Sequence, residues 1–389
     1  MLRTLATVLA LGGCSFSVGA AGPGDASDGP TDTSDGPTDA APSACKAVEV
    51  SAMSAHTCAR MENGDVWCWG INGKGEVGIP AQVAACALAI PCNPTPKKLA
   101  LPSITKLGVA EEHSCAIAGA QTYCWGRNSE NQFGDGTGTD TPTPTLIAQR
   151  ANATQITGGL TFGCSLHGAA VRCSGANTSG EVGDASFTAR PMPVTTVPSG
   201  TQAIESGYFH ACALEGSFLY CWGGNTSGQA GPPAGPSLGS PRIVSGVATV
   251  SAVALGYAHT CVALVAGDLR CWGDNASGQL GVGDMLPHSN VITTPLVTGI
   301  VEVAAGAQHT CARTPAGTVY CWGERYSSTP AQVTLPLPAI SIAAGSYHDC
   351  FVLNDGSVHC LGTNSYGQLG QGTHSTATTT TAARVTLCP

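Results

Sequence analysis

From residue 46 onward the chain is a succession of short apolar runs broken by Gly, Asn, Asp and Pro. Val250–Leu255, Thr260–Val265, Leu269–Trp272 and Val291–Val297 make one such set, and it predicts four short strands joined by tight turns. No stretch keeps a 3.6-residue apolar period over a useful length, so helices are not expected. The set recurs along the chain. One copy reads Val301-Glu-Val-Ala-Ala-Gly306, then His309-Thr-Cys311, a turn at Pro315-Ala-Gly317, and Val319-Tyr-Cys321-Trp322-Gly323. The leading cysteines, Cys58, Cys115, Cys164, Cys212, Cys261, Cys311 and Cys350, are separated by 57, 49, 48, 49, 50 and 39 residues. Seven four-stranded repeats of about 49 residues predict an all-β, seven-bladed β-propeller, because a closed ring protects most strand edges.

A second cysteine follows each leading one by nine or ten residues: Cys68, Cys124, Cys173, Cys221, Cys271, Cys321 and Cys360. Each pair sits symmetrically about a turn such as Glu62-Asn63-Gly64-Asp65, on adjacent antiparallel strands. Directly opposite residues there come within disulfide reach, so each blade is expected to be stapled. Cys86 and Cys92 fall inside the one long repeat and should pair there; Cys45 and Cys388 flank the whole array and would tie its ends. With Cys14 set aside, the remaining 18 of the 19 cysteines are all accounted for, which suits an oxidising compartment.

Zinc is the competing use, since His-x-Cys recurs at His56, His113, His210, His259, His309 and His348. Structural zinc wants four convergent ligands, often with closely spaced cysteines, and that spacing is missing. In the third copy Phe162 replaces the histidine while Cys164 stays, which suits a packing role for the ring. No metal and no cofactor are expected. Trp69, Trp125, Trp222, Trp272 and Trp322 follow the second cysteine and are expected between blades, with Ser174 and Leu361 in their place in two copies. An exposed aromatic binding ladder is the alternative use of the tryptophans.

After the second cysteine the fifth and seventh copies read Asn275-Ala-Ser-Gly278-Gln-Leu-Gly281 and Asn364-Ser-Tyr-Gly367-Gln-Leu-Gly370. Related forms are Asn72-Gly-Lys-Gly75-Glu-Val-Gly78, Asn177-Thr-Ser-Gly180-Glu-Val-Gly183 and Asn225-Thr-Ser-Gly228-Gln-Ala-Gly231. This pattern resembles the repeat of the regulator of chromosome condensation family and covers roughly residues 46–388. The resemblance implies a seven-bladed propeller. Its turn glycines suit positive φ, and its asparagine suits capping of a tight loop. Repeat disulfides are not general in that family, so here they read as an adaptation to an oxidising place.

Arg3 followed by the apolar run Leu5–Leu11 and the small residues before Cys14 reads as a secretory signal over residues 1–13. The exit resembles a bacterial lipobox, with Cys14 as the lipidated residue; an ordinary signal containing a cysteine is the alternative. Residues 14–44, rich in Gly, Ala, Ser, Pro, Thr and Asp, form a solvated tether, and residues 45–389 form the propeller. The expected place is exported and lipid-anchored, at the bacterial outer membrane or cell surface. A net charge of −9 argues against nucleic acid, and 11% charged residues are too few for a disordered chain or a coiled coil.

No catalytic residues stand out. Glu111-Glu112 sits in a short joint and reads as solvated surface. The favoured function is a non-catalytic, monomeric scaffold that binds an unknown protein partner at the envelope and touches the membrane only through its lipid. Inhibition of a secreted enzyme and nucleotide-exchange-like regulation are what the resemblance offers instead; a hydrolase or lyase using the central channel is a further alternative. Specificity should lie where the repeat symmetry breaks. The first repeat is stretched between Gly78 and Pro96, adding Ile79, Val83, Leu88 and Ile90 around the Cys86–Cys92 loop. The sixth is truncated, running from Glu324-Arg325-Tyr326 straight to Pro330. Both changes fall between third and fourth strands, which puts the candidate binding residues, Tyr326 included, on one rim.

Overall fold

The computed structural model describes residues 8–12, 15–19, 45–83, 85–196, 200–294 and 297–388. Cys14 and residues 20–44 lie outside the described residues, as do most of the expected signal and tether. Val8–Gly12 pairs with Ser15–Gly19 in a two-stranded ribbon set against the innermost strands of the ring. Among the described residues, all other sheets are seven antiparallel blades of four strands taken in chain order. Each blade runs outward from its innermost strand: Ala47–Met53, Lys106–Val109, Gln155–Gly158, Thr201–Ser206, Val250–Leu255, Glu302–Ala305 and Ala339–Ala344.

Inner strands are nearly all buried, and outer strands are largely exposed. That difference explains where strand reading slips. The fourth strand of the fifth blade is His288–Thr293, earlier than the apolar run 291–297, and the last strand of the ring is Ser375–Val385. The latter is a threonine-rich run, polar yet β-branched, and it suits an outer strand that buries little.

The paired cysteines stand directly opposite on the second and third strands in all seven blades, with Cα atoms 4.1–4.2 Å apart, and all seven disulfides form. Cys86–Cys92 forms as well. The expected Cys45–Cys388 bridge does not: both are free thiols. Their side chains nevertheless hydrogen-bond, and burial followed by that contact pushes the Cys388 thiol up to about 12. Because the first and seventh blades are each built from consecutive strands, no strand is exchanged at closure. The ring closes instead on Val50, Met61 and Trp69 packed against Val352, Val358 and Leu369, and on Ala47 N–H bonded to Gly356 O at 2.9 Å.

Neighbouring blades are joined by a repeated polar lock. In the Asn-x-x-Gly-Gln-Leu-Gly loop the asparagine caps the turn: Asn275 Oδ1 accepts from Leu280 N–H at 2.9 Å, and Gln279 Oε1 accepts from Ser277 N–H at 2.8 Å. Gly281 has φ +73°, and a Cβ there would lie 2.8 Å from Trp322 Nε1 of the next blade, so only glycine fits. The loop carbonyl of Gln279 then accepts from Trp322 Nε1 at 2.9 Å and from the Thr310 hydroxyl at 2.8 Å. Gln229 O does the same for Trp272 and Thr260, and Glu76 O for Trp125 and Ser114. Histidine completes the lock. His259 Nε2 meets Thr310 Oγ1 at 2.9 Å, and because that hydroxyl donates to Gln279, the ring must donate through Nε2–H. His56–Ser114, His210–Thr260 and His348–Thr57 repeat the contact, the last across the closure.

Where one part of the lock is missing, its partners change too. Phe162 faces Ala211 instead of a hydroxyl, in an apolar cluster. Ser174 leaves the tryptophan site empty, and the fully buried Arg150 fills the joint. Its guanidinium donates to Phe133 O at 2.7 Å, Ser165 Oγ at 2.7 Å, Gln132 O at 3.1 Å, Gly163 O at 2.9 Å and Ser174 Oγ at 2.7 Å. Burial lowers its pKa only to about 10, so it stays charged at neutral pH.

Two expectations follow for stability. Arg150→Ala strands several buried carbonyls and should cost about 3 kcal/mol in denaturant unfolding. Adding Ser174→Trp should recover part of that loss, since the indole can again donate to Gln132 O. Burial also lowers His56, His113, His210, His259 and His348 from 6.5 to about 3. Between those values the unfolded chain binds protons that the folded ring does not. Their contribution is therefore full above pH 6.5 and lost as pH falls toward 3. Burial also raises Glu49, Glu76, Glu111, Glu181, Glu205 and Glu302, and these act in the opposite sense. The histidine contribution is therefore read against a variant that lacks one such ring: relative to it, the parent should lose melting temperature between about pH 7 and about pH 4.5. His259→Phe with Thr310→Ala, copying the Phe162–Ala211 joint, is that variant.

Candidate functional site

In every blade the turn between first and second strands and the loop between third and fourth strands share one rim, so both symmetry breaks lie on the same side. They flank the seventh blade. The first-blade insertion reaches it through Ala87 N–H, bonded to Ser365 O at 3.3 Å, and the truncated sixth blade adjoins its other side.

The insertion divides into an anchored base and a projecting tip. Asn72 Nδ2 donates to Ile79 O at 2.8 Å and to Asn93 Oδ1 at 2.9 Å, while Val83 pairs with Cys92. Ile79, Val83 and Ile90 are half-buried, with Ile79 packed on the core and Ile90 against Gly73. Leu88 differs: it is 86% exposed. Leu88 and Ala89 both have positive φ, 53° and 58°, in a one-turn loop closed by Cys86–Cys92 and by Cys86 N–H to Ile90 O at 2.9 Å. Left-handed backbone at two successive non-glycine residues is costly, and the surrounding clamp holds it in place.

Tyr326 was expected on the binding surface, and the structure assigns it a different task. Its hydroxyl donates to Asp349 Oδ2 at 2.7 Å, beneath the surface. Asp349 replaces the hydroxyl residue of the lock and also receives His309 Nε2 at 2.7 Å and Arg325 at 3.2 Å. Burial raises this carboxyl, but His309, Arg325 and Tyr326 together hold it well below the usual carboxylate range. The four changes belong together. Without the Gly-Gln-Leu-Gly loop there is no carbonyl for an indole, so Leu361 replaces tryptophan and a buried ionic group closes the joint. The short outer strand of the sixth blade, Ala331–Gln332, leaves a lateral cleft of 730 Å³ walled by Arg325, Tyr326, Val333, Leu361 and Thr378–Thr381.

Among the described residues, His309, Cys311 and Asp349 converge as a metal site would. Cys311 is bonded to Cys321, however, and the carboxylate is filled by Arg325 and Tyr326. The group is an ionic joint. The remaining lock histidines and tryptophans are buried between blades, which leaves no exposed aromatic ladder.

The sequence reading missed the mouth of the central channel. There the first-to-second-strand turns bond to one another around the axis: Leu160 N–H to Tyr208 O at 3.0 Å, Tyr257 N–H to Ala307 O at 3.2 Å, Ser346 N–H to Ser54 O at 2.7 Å. Tyr208 reaches across from the fourth blade to the seventh, its hydroxyl 2.5 Å from Ser346 Oγ. Glu111, expected as solvated surface, is instead largely buried in this mouth. Desolvation pushes its carboxyl up to about 7 against the pull of Ser54 and Tyr208. The missed signal was available: the residues after the repeat glycine, Tyr208, Tyr257 and Ser346 among them, vary between copies while the histidine beside them is replaced only once, by Phe162.

Models of the regulator of chromosome condensation (RCC1) repeat match residues 47–76, 250–279, 300–325 and 339–368, and a second model of the same description matches 120–166. No curated protein matches the sequence. Among solved structures the chain is similar to yeast RCC1 (Prp20) bound to Kap60, at 20% identity and TM-score 0.73, covering 87% of this chain and 85% of that one. It is also similar to human WBSCR16, at 19% identity and TM-score 0.72, covering 83% and 94%. Repeat models and closed ring agree: this chain carries RCC1-type repeats and folds as a seven-bladed β-propeller stapled blade by blade with disulfides.

Proposed function

We propose that the protein is a non-catalytic scaffold that binds a protein partner through the rim carrying the insertion, and that it does so outside the cytoplasm on a lipid anchor at Cys14. One observation carries the reading. The lock histidines and Asp349 are engaged in joints between blades, whereas the rim presents a rigid apolar tip at Leu88. A pre-set loop loses little freedom on binding. Relatives in fold support a protein partner: yeast Prp20 was solved bound to Kap60, and its binding to Gsp1p and histones has been described. The cysteine content and the segment before residue 14 support export. Exchange on a cytosolic GTPase does not suit an exported chain. Inhibition of a secreted enzyme is the second reading, favoured by the projecting, clamped tip at Leu88 and Ala89.

Leu88→Asp should weaken partner capture, measured by cross-linking in intact cells, by about tenfold or more, with an unchanged melting temperature because the side chain touches little. Capture at the parental level would move the binding surface elsewhere. Cys14→Ala should shift the protein from the membrane to the soluble fraction, and retention on membranes would remove the lipid anchor from the account.

A further inference from the structure

We infer that the channel mouth on this rim is a receptor for a cationic side chain, so that the bound partner presents a lysine- or arginine-bearing segment there. The inference rests on the protein-binding reading above and adds the partner's chemistry. Tyr208 spans the mouth to Ser346, and the turns around it form the cup. Around it stand aromatic rings: Tyr257 packs on Tyr208 with centroids 5.2 Å apart and edge-on against Phe209 at 5.2 Å. Tyr257 and Tyr347 remain 46% and 44% exposed, an unusual state for two tyrosines at the centre of a ring. Carboxylates occupy the same place. Glu111 Oε2 is buried without a hydrogen-bond partner, and so is Glu324 Oε2. After burial, the charges of Glu324 and Glu111, with Tyr257, raise the Tyr347 hydroxyl, so both acids act on that ring electrostatically.

Cations nearby are already committed. Arg127 is held by Glu112 at 2.5 Å and Glu130 at 3.3 Å, and Arg325 by Asp349. Asp274, at the position in the fifth blade that Glu324 holds in the sixth, adds another acid to the rim of the cup. Among the described residues, the mouth therefore presents π faces beside buried carboxylates that lack a partner, and its two arginines are already paired. An ammonium or guanidinium group is attracted to both, whereas an anion or an apolar tip gains nothing from the carboxylates.

The probe is a fluorescent eight-residue lysine-containing peptide, compared with its lysine-acetylated form and with a glutamate counterpart, by anisotropy against the whole protein. Binding should be confined to the lysine peptide. Tyr257→Ala, Tyr347→Ala and Glu111→Gln should each weaken it by about five- to tenfold while the propeller stays folded, as checked by circular dichroism. It should also weaken as pH falls below about 7, where Glu111 and Glu76 take up protons; the other groups facing Glu111 are Glu112, paired with Arg127, and the Ser54 and Tyr208 hydroxyls. Equal binding of the acetylated or acidic peptide, indifference to all three substitutions, or no binding at all would overturn the inference. Partner capture that depends on Leu88 but not on Tyr257 or Glu111 would overturn it while leaving the scaffold reading intact.

Discussion

Most joints of the ring depend on one backbone carbonyl. Gln279 O, like Gln229 O and Glu76 O, accepts an indole N–H and a hydroxyl from the next blade, and a buried histidine anchors that hydroxyl. Each bond contributes on the order of 1 kcal/mol, yet leaving a buried donor unmade costs more, so the lock is more exacting than it is strong. It also fixes the loop. A carbonyl can meet the neighbouring tryptophan only if the turn is tight, which explains the asparagine cap and the positive-φ glycine whose Cβ would strike the indole.

Departures from the repeat accordingly come in groups. Phe162 goes with Ala211; Ser174 goes with Arg150; the lost loop of the sixth blade goes with Leu361, Asp349, Arg325 and Tyr326. Each group restores a satisfied joint by different chemistry: apolar contact, a guanidinium spread over carbonyls, or an ionic cluster. A buried charge survives at two joints because hydrogen bonds from several directions surround it. The cross-strand disulfides do separate work, holding hairpins within blades and leaving the joints to side chains.

This division leaves the rim free for recognition. Residues committed to joints recur in most blades, whereas the pair of residues just before the repeat histidine position differs in every copy and carries the aromatic and acidic character of the channel mouth. The apolar tip at Leu88 stands on the same rim, so a partner gripping the tip can also place a side chain in the cup. A scaffold whose joints are saturated can vary its mouth without risking its ring.

Much of this was legible in the chain. Spacing of cysteines gave seven blades and eight of the pairings, because a repeat that must bury the same contacts keeps the same residues at the same intervals. The interblade role of the tryptophans and the packing role of the histidines were legible too, the latter from a single exception, Phe162. Outer strands were read poorly, since solvent-facing threonines carry no apolar period. Cys45 and Cys388 were read as a bridge, and the fold brings their thiols into contact without joining them. Tyr326 and Glu111 were misplaced for one reason: whether a residue in a short joint faces solvent, a neighbour or the axis depends on blades far away in sequence. Tyr208 meeting Ser346 across the channel is a contact of that kind. Local pattern sets the blade, but only closing the ring determines which turn residues meet at its centre.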